Sequence, residues 1–477
     1  MSFHFVDSSA ASTPGARRAI RRHVMKGKNL GKKIQGRGRK NAPPPADEFF
    51  GDIHRPRKED REIIEAAEGA LARQDRTQLL FPEIAAVDIP VSSNAFAGGE
   101  FGYFSFPVQF TPSMRYLVYQ FHSAICDAIY PYPFCRPSKG MSPPWFEYMI
   151  TDQAFLHCLL AMTATYLTLF HKPGNETLEA TRHFSQTLRL INHKLSRPSI
   201  PCDSTIAVVV SLTIHGNLSR DLPRSLIHFD GLQRLLALRP GGLASLRDSN
   251  PSLMQKICRT DIDLALNQGT VTRFGSSDVV KSTLVGKTVR PLAYPLNQTC
   301  VSLREATQEI MAFCRRPGRT KISAIEYQDL LIWLWQKLLD FAPLHEERPP
   351  SPLDDVWHLG LLAFLATVAH PVECLRDIHA SMLHEMLRDR VERDVLSTSG
   401  ADYSRLRFWL VMMCELLASD KPEMRLESQF RTLAGELSLK SWEDAKASLQ
   451  LLPWIGVVHT KPGKEAWDSI MSPTSPA

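Results

Sequence analysis

Apolar residues recur at helical spacing over most of the chain from about residue 112 onward. In one segment they fall three and four positions apart, at Tyr327, Leu330, Leu331, Leu334, Leu338 and Phe341. Trp335 and Leu339 widen this stripe, so the helix is expected to be buried on most sides. The same reasoning predicts helices over 150–170, 175–196, 203–218, 226–238, 251–268, 302–315, 327–341, 354–369, 373–397, 403–418 and 439–451. Alternating strand patterns and fixed-period repeats are absent from the sequence, which therefore predicts an all-α body.

The predicted helix over 226–238 has a clear end. Its inward face carries four apolar residues, Phe229, Leu232, Leu235 and Leu236. The sequence Pro240–Gly242 follows, where proline cannot continue the helical hydrogen bonds and glycine accepts a left-handed turn. Residues 232–236 also match an L-x-x-L-L coregulator box in letters. Because the same leucines complete the inward face, a core helix is the favoured interpretation.

The pattern divides the chain into three parts. Residues 1–60 lack apolar periodicity and are predicted to be a disordered arm, or one that orders on binding, because they cannot bury enough apolar surface. Residues 61–111 are predicted to be a linker with a short helix, broken by Gly98, Gly99 and several prolines. Residues 112–477 are predicted to form a large, bundle-like helical regulatory domain.

Composition narrows the class of protein. With 477 residues, 44% hydrophobic and 22% charged, the chain resembles ordinary globular proteins. The opening residues lack a secretory signal pattern, and the apolar stretches 155–170 and 357–369 are interrupted or too short to span a bilayer of about 30 Å. We therefore expect buried helices and no membrane contact. Nine cysteines without any C-x-x-C pair favour reduced thiols in the cytosol or nucleus over a zinc or redox centre.

Positive charge is concentrated in one short segment. The formal net charge is +6, yet residues 17–40 hold eleven cations and no acidic residue, which leaves −5 on the other 453 residues. The eleven are Arg17, Arg18, Arg21, Arg22, Lys26, Lys28, Lys32, Lys33, Arg37, Arg39 and Lys40. Such a run is typical of a nuclear import signal, of a nucleic-acid contact through phosphates, or of a solvated tail.

Residues 36–40 add a weak hint of DNA contact. Their Arg-Gly-Arg core is that of an AT-hook, in which the arginines enter the narrow minor groove of A·T-rich DNA. The flanking prolines of such a motif are replaced here by Gly36 and Lys40, and the motif occurs once.

Catalytic motifs are absent from the sequence. It has no phosphate-binding G-x-x-x-x-G-K-S/T loop and no G-x-S-x-G, and His384-Glu385 lacks the second histidine of a zinc-binding H-E-x-x-H. Two polar residues fall on apolar stripes. We expect His228 to be a hydrogen-bonded core histidine rather than a ligand or switch. We expect Asp261 to have an arginine or backbone partner rather than a catalytic role, because an unpaired buried carboxylate is costly. No enzyme activity, cofactor or metal is predicted.

A scattered set of residues in the middle of the chain follows the pattern H-x-x-G-L, L-R-G-G-L, D and R-F. Its members are His228, Gly231, Leu232, Gly241, Gly242, Asp261, Arg273 and Phe274. The pattern resembles the signature of the fungal-specific transcription factor domain, an all-helical regulatory region of gene regulators. Residues 21–26, Arg-Arg-His-Val-Met-Lys, resemble the N-terminus of a subset that lacks a zinc cluster, occurs beside secondary-metabolite genes and is sometimes labelled a tachykinin family.

The sequence departs from the best-known relatives in two places. Their six-cysteine zinc cluster near the N-terminus has no counterpart, since the first cysteine is Cys126, and Pro240 stands where glycine or a polar residue is common. The usual base-reading residues therefore have no equivalents here.

The resemblance implies a nuclear regulator of a fungal gene set, with a secondary-metabolite cluster as one such set, and without a zinc-cluster DNA reader. Its expected partners are DNA, held through the phosphate backbone with low specificity, the nuclear import machinery and other transcription proteins. The alternative is a helical scaffold that does not bind DNA and acts through a separate DNA-binding subunit.

Overall fold

The computed structural model of the chain describes residues 106–131, 134–135, 145–171, 177–196, 200–275, 291–315, 321–370, 373–396, 400–418 and 424–471. Within these ranges 77% of the residues are helical and strands are absent, which confirms the all-α prediction. The predicted arm over 1–60 and nearly all of the predicted linker lie outside the described residues.

The helices of the described part are short to medium in length. In chain order they are α1 Pro112–Gln120, α2 Cys126–Ile129, α3 Phe146–Thr151, α4 Gln153–His171, α5 Leu178–Leu195, α6 Asp203–Leu218, α7 Leu222–Ala237, α8 Leu246–Ser249, α9 Pro251–Gln268, α10 Val301–Cys314, α11 Ala324–Phe341, α12 Pro352–Ala369, α13 Glu373–His379, α14 Ser381–Glu392, α15 Ala401–Leu417, α16 Met424–Glu436, α17 Trp442–Leu449 and α18 Gly456–Met471. A π-helical turn, Phe121–Ile125, joins α1 to α2.

Local sequence signals explain where several helices begin and end. Helix α9 starts after Asn250, whose side chain accepts the Leu253 N–H, and ends at Gly269 with φ 70°. Helix α11 starts with a capping box in which Ser323 and Glu326 satisfy each other's backbone N–H groups. These caps are encoded within a few residues, so the predicted starts and ends of these two helices lie within three residues of the observed ones.

The prediction of one helix over 373–397 is wrong. The segment forms two helices, α13 and α14, separated at Ala380, which has φ −126° and ψ 14°. Helix α13 packs on α6, α9 and α15, whereas α14 packs on α9, α12, α15 and α16. The change of direction lets each short helix bury its own apolar side, and Ala380 itself is buried at the corner.

Helices α6, α12 and α15 form the centre of the packed body. Along α6, residues on every side are buried, which explains its lack of an exposed face. Helix α12 is long and apolar enough to cross a membrane, but 78% of it is buried within the described part of the protein. Its Trp357 packs against Trp409 of α15 with ring centroids 5.0 Å apart. It is therefore packed as the core helix of a folded domain, in agreement with the sequence prediction for 357–369.

One glycine sets the distance between α12 and α15. A Cβ at Gly360 would lie 2.6 Å from Leu410 Cδ2 and 2.7 Å from Trp409 Cζ3. The two helices can approach this closely only because residue 360 has no side chain.

Candidate functional site

Three of the predicted signature residues, Asp261, Arg273 and Phe274, meet at one corner of the body, between α7, α9 and the segment that follows α9. The carboxylate of Asp261, on α9, accepts the backbone N–H of Arg273 at 3.0 Å and that of Phe274 at 2.8 Å. Asp261 is only 1% exposed. The prediction that this buried carboxylate has an arginine or backbone partner is confirmed, and the partner is backbone.

The side chains of Arg273 and Phe274 then close back onto α7. Arg273 Nη1 donates to Asp230 Oδ1 at 2.6 Å and to Gln233 Oε1 at 2.9 Å, while its guanidinium lies 5.3 Å from the centre of the Phe229 ring. The Phe274 ring meets Phe229 edge to face, with centroids 5.8 Å apart. We call Phe229, Asp230, Asp261, Arg273 and Phe274 the Asp261 clasp.

A further bond connects the clasp to α11. The Phe274 carbonyl accepts from Gln336 Nε2 at 2.9 Å, and Gln336 is buried. The clasp therefore fixes the chain leaving α9 to two neighbouring helices, α7 and α11. Arg273 follows Asp261 by 12 residues, which is enough for α9 to end and for the chain to turn back. The N–H groups of Arg273 and Phe274 then reach the Asp261 carboxylate, which explains the spacing of the D and R-F elements of the signature.

Burial sets the protonation of Asp261. Burial raises its pKa to about 6, although the two backbone donors and the Arg273 charge oppose the rise. Because the folded-state pKa lies above the unfolded value near 3.9, the folded chain binds more protons between these values. The contribution of Asp261 to stability therefore falls as the pH rises from about 4 to 6.

We expect Asp261→Ala to lower the free energy of unfolding by about 2 kcal/mol, because two partly buried N–H groups lose their acceptor. Asp261→Asn retains one acceptor oxygen and should lose less. Urea unfolding at pH 7 followed by tryptophan fluorescence measures both. An Asp261→Ala loss below about 0.5 kcal/mol, the range of ordinary surface changes, would show that the clasp does not stabilise the fold.

The remaining signature residues have core or turn positions. His228 and Leu232 are almost completely buried on the inner face of α7. Burial, with a smaller effect of the Arg224 charge, lowers the pKa of His228 to about 4, so its ring is neutral at physiological pH and unsuited to switching there. Gly231 is also buried in α7. The leucines of the L-x-x-L-L sequence are buried too, as expected for a core helix.

Gly241 and Gly242 form the left-handed turn that the sequence predicts after α7. Their φ angles are 78° and 55°, a region in which glycine is favoured. Arg239, just before them, donates to Ser245 Oγ at 2.7 Å and pairs with Asp203 at the start of α6. The turn is therefore tied to a second helix as well as to its own backbone.

The structure contains two other polar clusters that the sequence did not predict. Lys256 of α9 lies in the core against Trp145 and Phe155. Asp263, His370 and His379 place one potential ligand atom each within 4.8 Å of the others. Members of both clusters come from distant parts of the chain, so no local spacing could reveal them. The eleven predicted cations of residues 17–40 lie outside the described residues.

The clasp itself offers structural bonds rather than a reactive group. Two surface hollows of about 310 and 320 Å³ occur in the described part, away from the clasp. One carboxylate lines each, Asp394 in the first and Asp329 in the second.

Comparison with known proteins finds a family similar to part of the helical body. Residues 116–270 match the family model described as "Fungal specific transcription factor domain". The match runs from α1 to the residue after Gly269 and includes α7 and Asp261 of the clasp. It confirms the family predicted from the signature over these residues, while the subset suggested by residues 21–26 stays a prediction. Searches of the curated proteins and of the solved structures found no match.

Proposed function

We propose that the chain is a nuclear regulator of transcription, because residues 116–270 match the model of a fungal specific transcription factor domain. In this proposal the helical body binds other transcription proteins and has no catalytic role. The basic segment 17–40 carries the chain into the nucleus and contacts DNA phosphates with low sequence specificity. The family match is the observation that carries the proposal, and a secondary-metabolite gene cluster is the proposed class of target.

The uneven charge supports this division of labour. Eleven cations in 24 residues favour a polyanion, because every neutralised phosphate releases condensed counterions. The helical body over 112–477 holds 39 Lys/Arg and 37 Asp/Glu, a formal charge of +2, so it offers DNA little net attraction. With no zinc-cluster cysteines near the N-terminus, residues 17–40 are the segment best suited to hold DNA.

The geometry of the signature supports a binding role for the body. The clasp and the Gly241–Gly242 turn hold α6, α7, α9 and α11 in fixed positions. A rigid helical body of this kind presents stable surfaces, and several large apolar side chains are exposed on it. On α7 and just after its end, Ile227 is 58% exposed and Leu238 is 56% exposed. In this proposal these two side chains take part in contacts with another protein.

DNA binding by the full chain tests the proposal. Fluorescence anisotropy measures the affinity for A·T-rich and G·C-rich duplexes. This affinity is expected to fall steeply as the salt concentration rises from 50 to about 200 mM. Arg37→Ala with Arg39→Ala should reduce the slope of log affinity against log salt by about 2 and weaken A·T-rich binding more. Arg182→Ala with Arg189→Ala removes the same charge from exposed positions of α5 and serves as the matched control.

Two outcomes would contradict direct DNA contact. Equal losses of DNA affinity in the Arg37/Arg39 variant and in the α5 control would show that the affinity depends on overall charge and not on residues 17–40. Absence of binding at low salt would favour the alternative function, a scaffold that acts through a separate DNA-binding subunit. The exposed apolar residues of α7 support that alternative as well as the first, since both require protein partners.

A further inference from the structure

Three side chains from three helices converge near the ends of α12 and α13. Asp263 lies on α9, His370 is the residue that ends α12, and His379 is the last residue of α13. His370 Nε2 is 3.4 Å from Asp263 Oδ1, and the two imidazole rings stack with centroids 4.8 Å apart. One potential ligand atom from each residue lies within 4.8 Å of the other two.

An unsatisfied nitrogen points to a missing partner in this cluster. His379 is 6% exposed, and its Nδ1 is buried without a hydrogen-bond acceptor or donor in the described part of the chain. Buried polar atoms in proteins are almost always partnered, by protein, water or ion. Neighbouring atoms of Asp263 and His370 are of the types that accompany histidine in metal sites.

We propose that Asp263, His370 and His379 bind a divalent transition-metal ion, with zinc as the best match, and that this ion ties α9 to α12 and α13. Two imidazole nitrogens and one carboxylate oxygen form a common zinc ligand set, with a fourth position for water. Zinc would draw the ligand atoms to about 3.3 Å from one another, so the side chains move by about 1 Å on binding. Such a movement is small for His370 and His379, which lie at helix ends.

Two cations near the cluster limit the affinity. Arg259 lies one turn before Asp263 on α9, and Arg376 Nη1 donates to the backbone carbonyl of His370 at 3.2 Å. Their charges oppose a divalent ion, so we expect a dissociation constant in the micromolar rather than the picomolar range. Asp263 lies within the family match, and both histidines lie beyond it. The ion would therefore couple the matched segment to the helices that follow it.

The test uses the full chain after chelator treatment. Calorimetric titration with Zn²⁺ is expected to give one site, and a hundredfold excess over the dissociation constant should raise the melting temperature by about 4 °C. Co²⁺ should give the visible absorption of a tetrahedral nitrogen and oxygen site. His370→Gln, His379→Gln and Asp263→Asn should each weaken binding by at least about 100-fold.

Two control variants separate this cluster from other histidines. His193→Gln changes an exposed histidine on α5 and should bind Zn²⁺ as the parent does. His157→Gln disrupts a second stacked pair, in which His157 Nδ1 lies 2.8 Å from His183 Nδ1, and should also leave binding unchanged. Loss of binding in His157→Gln, or binding that survives in His370→Gln and His379→Gln, would overturn the proposal.

Chemical modification of the unsubstituted chain tests the site without variants that could misfold. Diethyl pyrocarbonate modifies accessible imidazoles, and mass spectrometry locates the modified residues. Zn²⁺ is expected to slow modification of His370 at least tenfold and to leave His193 unchanged. Equal modification of His370 with and without Zn²⁺, or the absence of any saturable Zn²⁺ binding, would also overturn the proposal.

Discussion

Asp355→Ala is expected to lower the free energy of unfolding by about 3–5 kcal/mol, since it removes the buried carboxylate that Arg348 and Arg390 share. Arg390 keeps its second pair, with Asp389, so most of the loss falls on Arg348. Asp355 lies in the first turn of α12 and is 5% exposed. Its Oδ1 accepts from Arg348 Nε at 2.7 Å, and its Oδ2 accepts from Arg390 Nε at 2.8 Å. One carboxylate therefore holds two guanidinium groups, one before α12 and one on α14.

The network extends from Arg348 into the core. Arg348 Nη2 donates to His358 Nδ1 at 2.8 Å, and His358 Nε2 donates to the Leu338 carbonyl at 2.9 Å. Burial, followed by the Arg348 charge, lowers the pKa of His358 to about 3, so the ring is neutral and carries its proton on Nε2. Without Asp355, the charge of Arg348 would lie beside a neutral histidine in a poorly hydrated site.

Equilibrium unfolding in urea, followed by circular dichroism, measures the effect. Asp355→Asn keeps the shape of the side chain but not its charge, and should lose nearly as much stability as the alanine variant. Glu465→Ala is the matched control, because it removes a carboxylate from an exposed pair with Lys461 whose atoms are 3.9 Å apart. That change should cost less than about 0.5 kcal/mol. A similar loss for Asp355→Ala and Glu465→Ala would contradict the assigned role of the network.

The sequence was sufficient for helices with a continuous apolar face and local caps. The predicted bounds of α6 and α9 agree with the structure, since Asn250 and Gly269 mark both ends of α9 within its own sequence. Helix α18 was not predicted, because Pro462 in its interior normally ends a helix. Its packing depends on the neighbouring Gly463, where a Cβ would lie 2.9 Å from the rings of Trp442 and Trp454. Tertiary contact at that point overrides a local signal.

The same distinction applies to the polar residues. A partner for Asp261 could be predicted because a buried carboxylate requires one, whatever its source. The convergence of Asp263 with His370 and His379 could not, because more than 100 residues separate the aspartate from either histidine. The buried position of Lys256 could not be predicted either, because lysine side chains are usually exposed, and only the packing of α9 against α6 reveals it.

Lys256 is a cation held inside the hydrophobic core. Its Nζ donates to Ser211 Oγ at 2.7 Å and lies 4.6 Å from the Trp145 ring and 5.6 Å from the Phe155 ring. The aromatic faces and one hydroxyl stabilise the charge in part. Burial nevertheless lowers the pKa of Lys256 to about 8, with Arg259 acting in the same direction and Cys158 against it. The charged form is therefore less stable in the folded chain than in water.

Lys256→Met is expected to raise the free energy of unfolding by about 2–3 kcal/mol at pH 7, since an apolar side chain of similar length replaces a buried charge. Ser211 keeps its hydrogen bond to the Ala207 carbonyl, at 2.6 Å, so the hydroxyl retains a partner. In the parent chain the cost of the cation is fully present below the folded-state pKa of about 8. It declines as the pH rises towards the unfolded value of about 10.4, where both states are neutral.

The stability difference between Lys256→Met and the parent should therefore narrow by about 3 kcal/mol between pH 7 and about 10.5. Burial also raises the pKa of the Tyr327 phenol, but this group is common to both chains and cancels in the difference. Lys461→Met, at an exposed position of α18, is the matched control and should show a constant difference. Urea unfolding at four or so pH values distinguishes the two cases. If the difference in unfolding free energy between Lys256→Met and the parent does not change with pH, Lys256 is solvated when charged. That result would contradict its assigned place in the core.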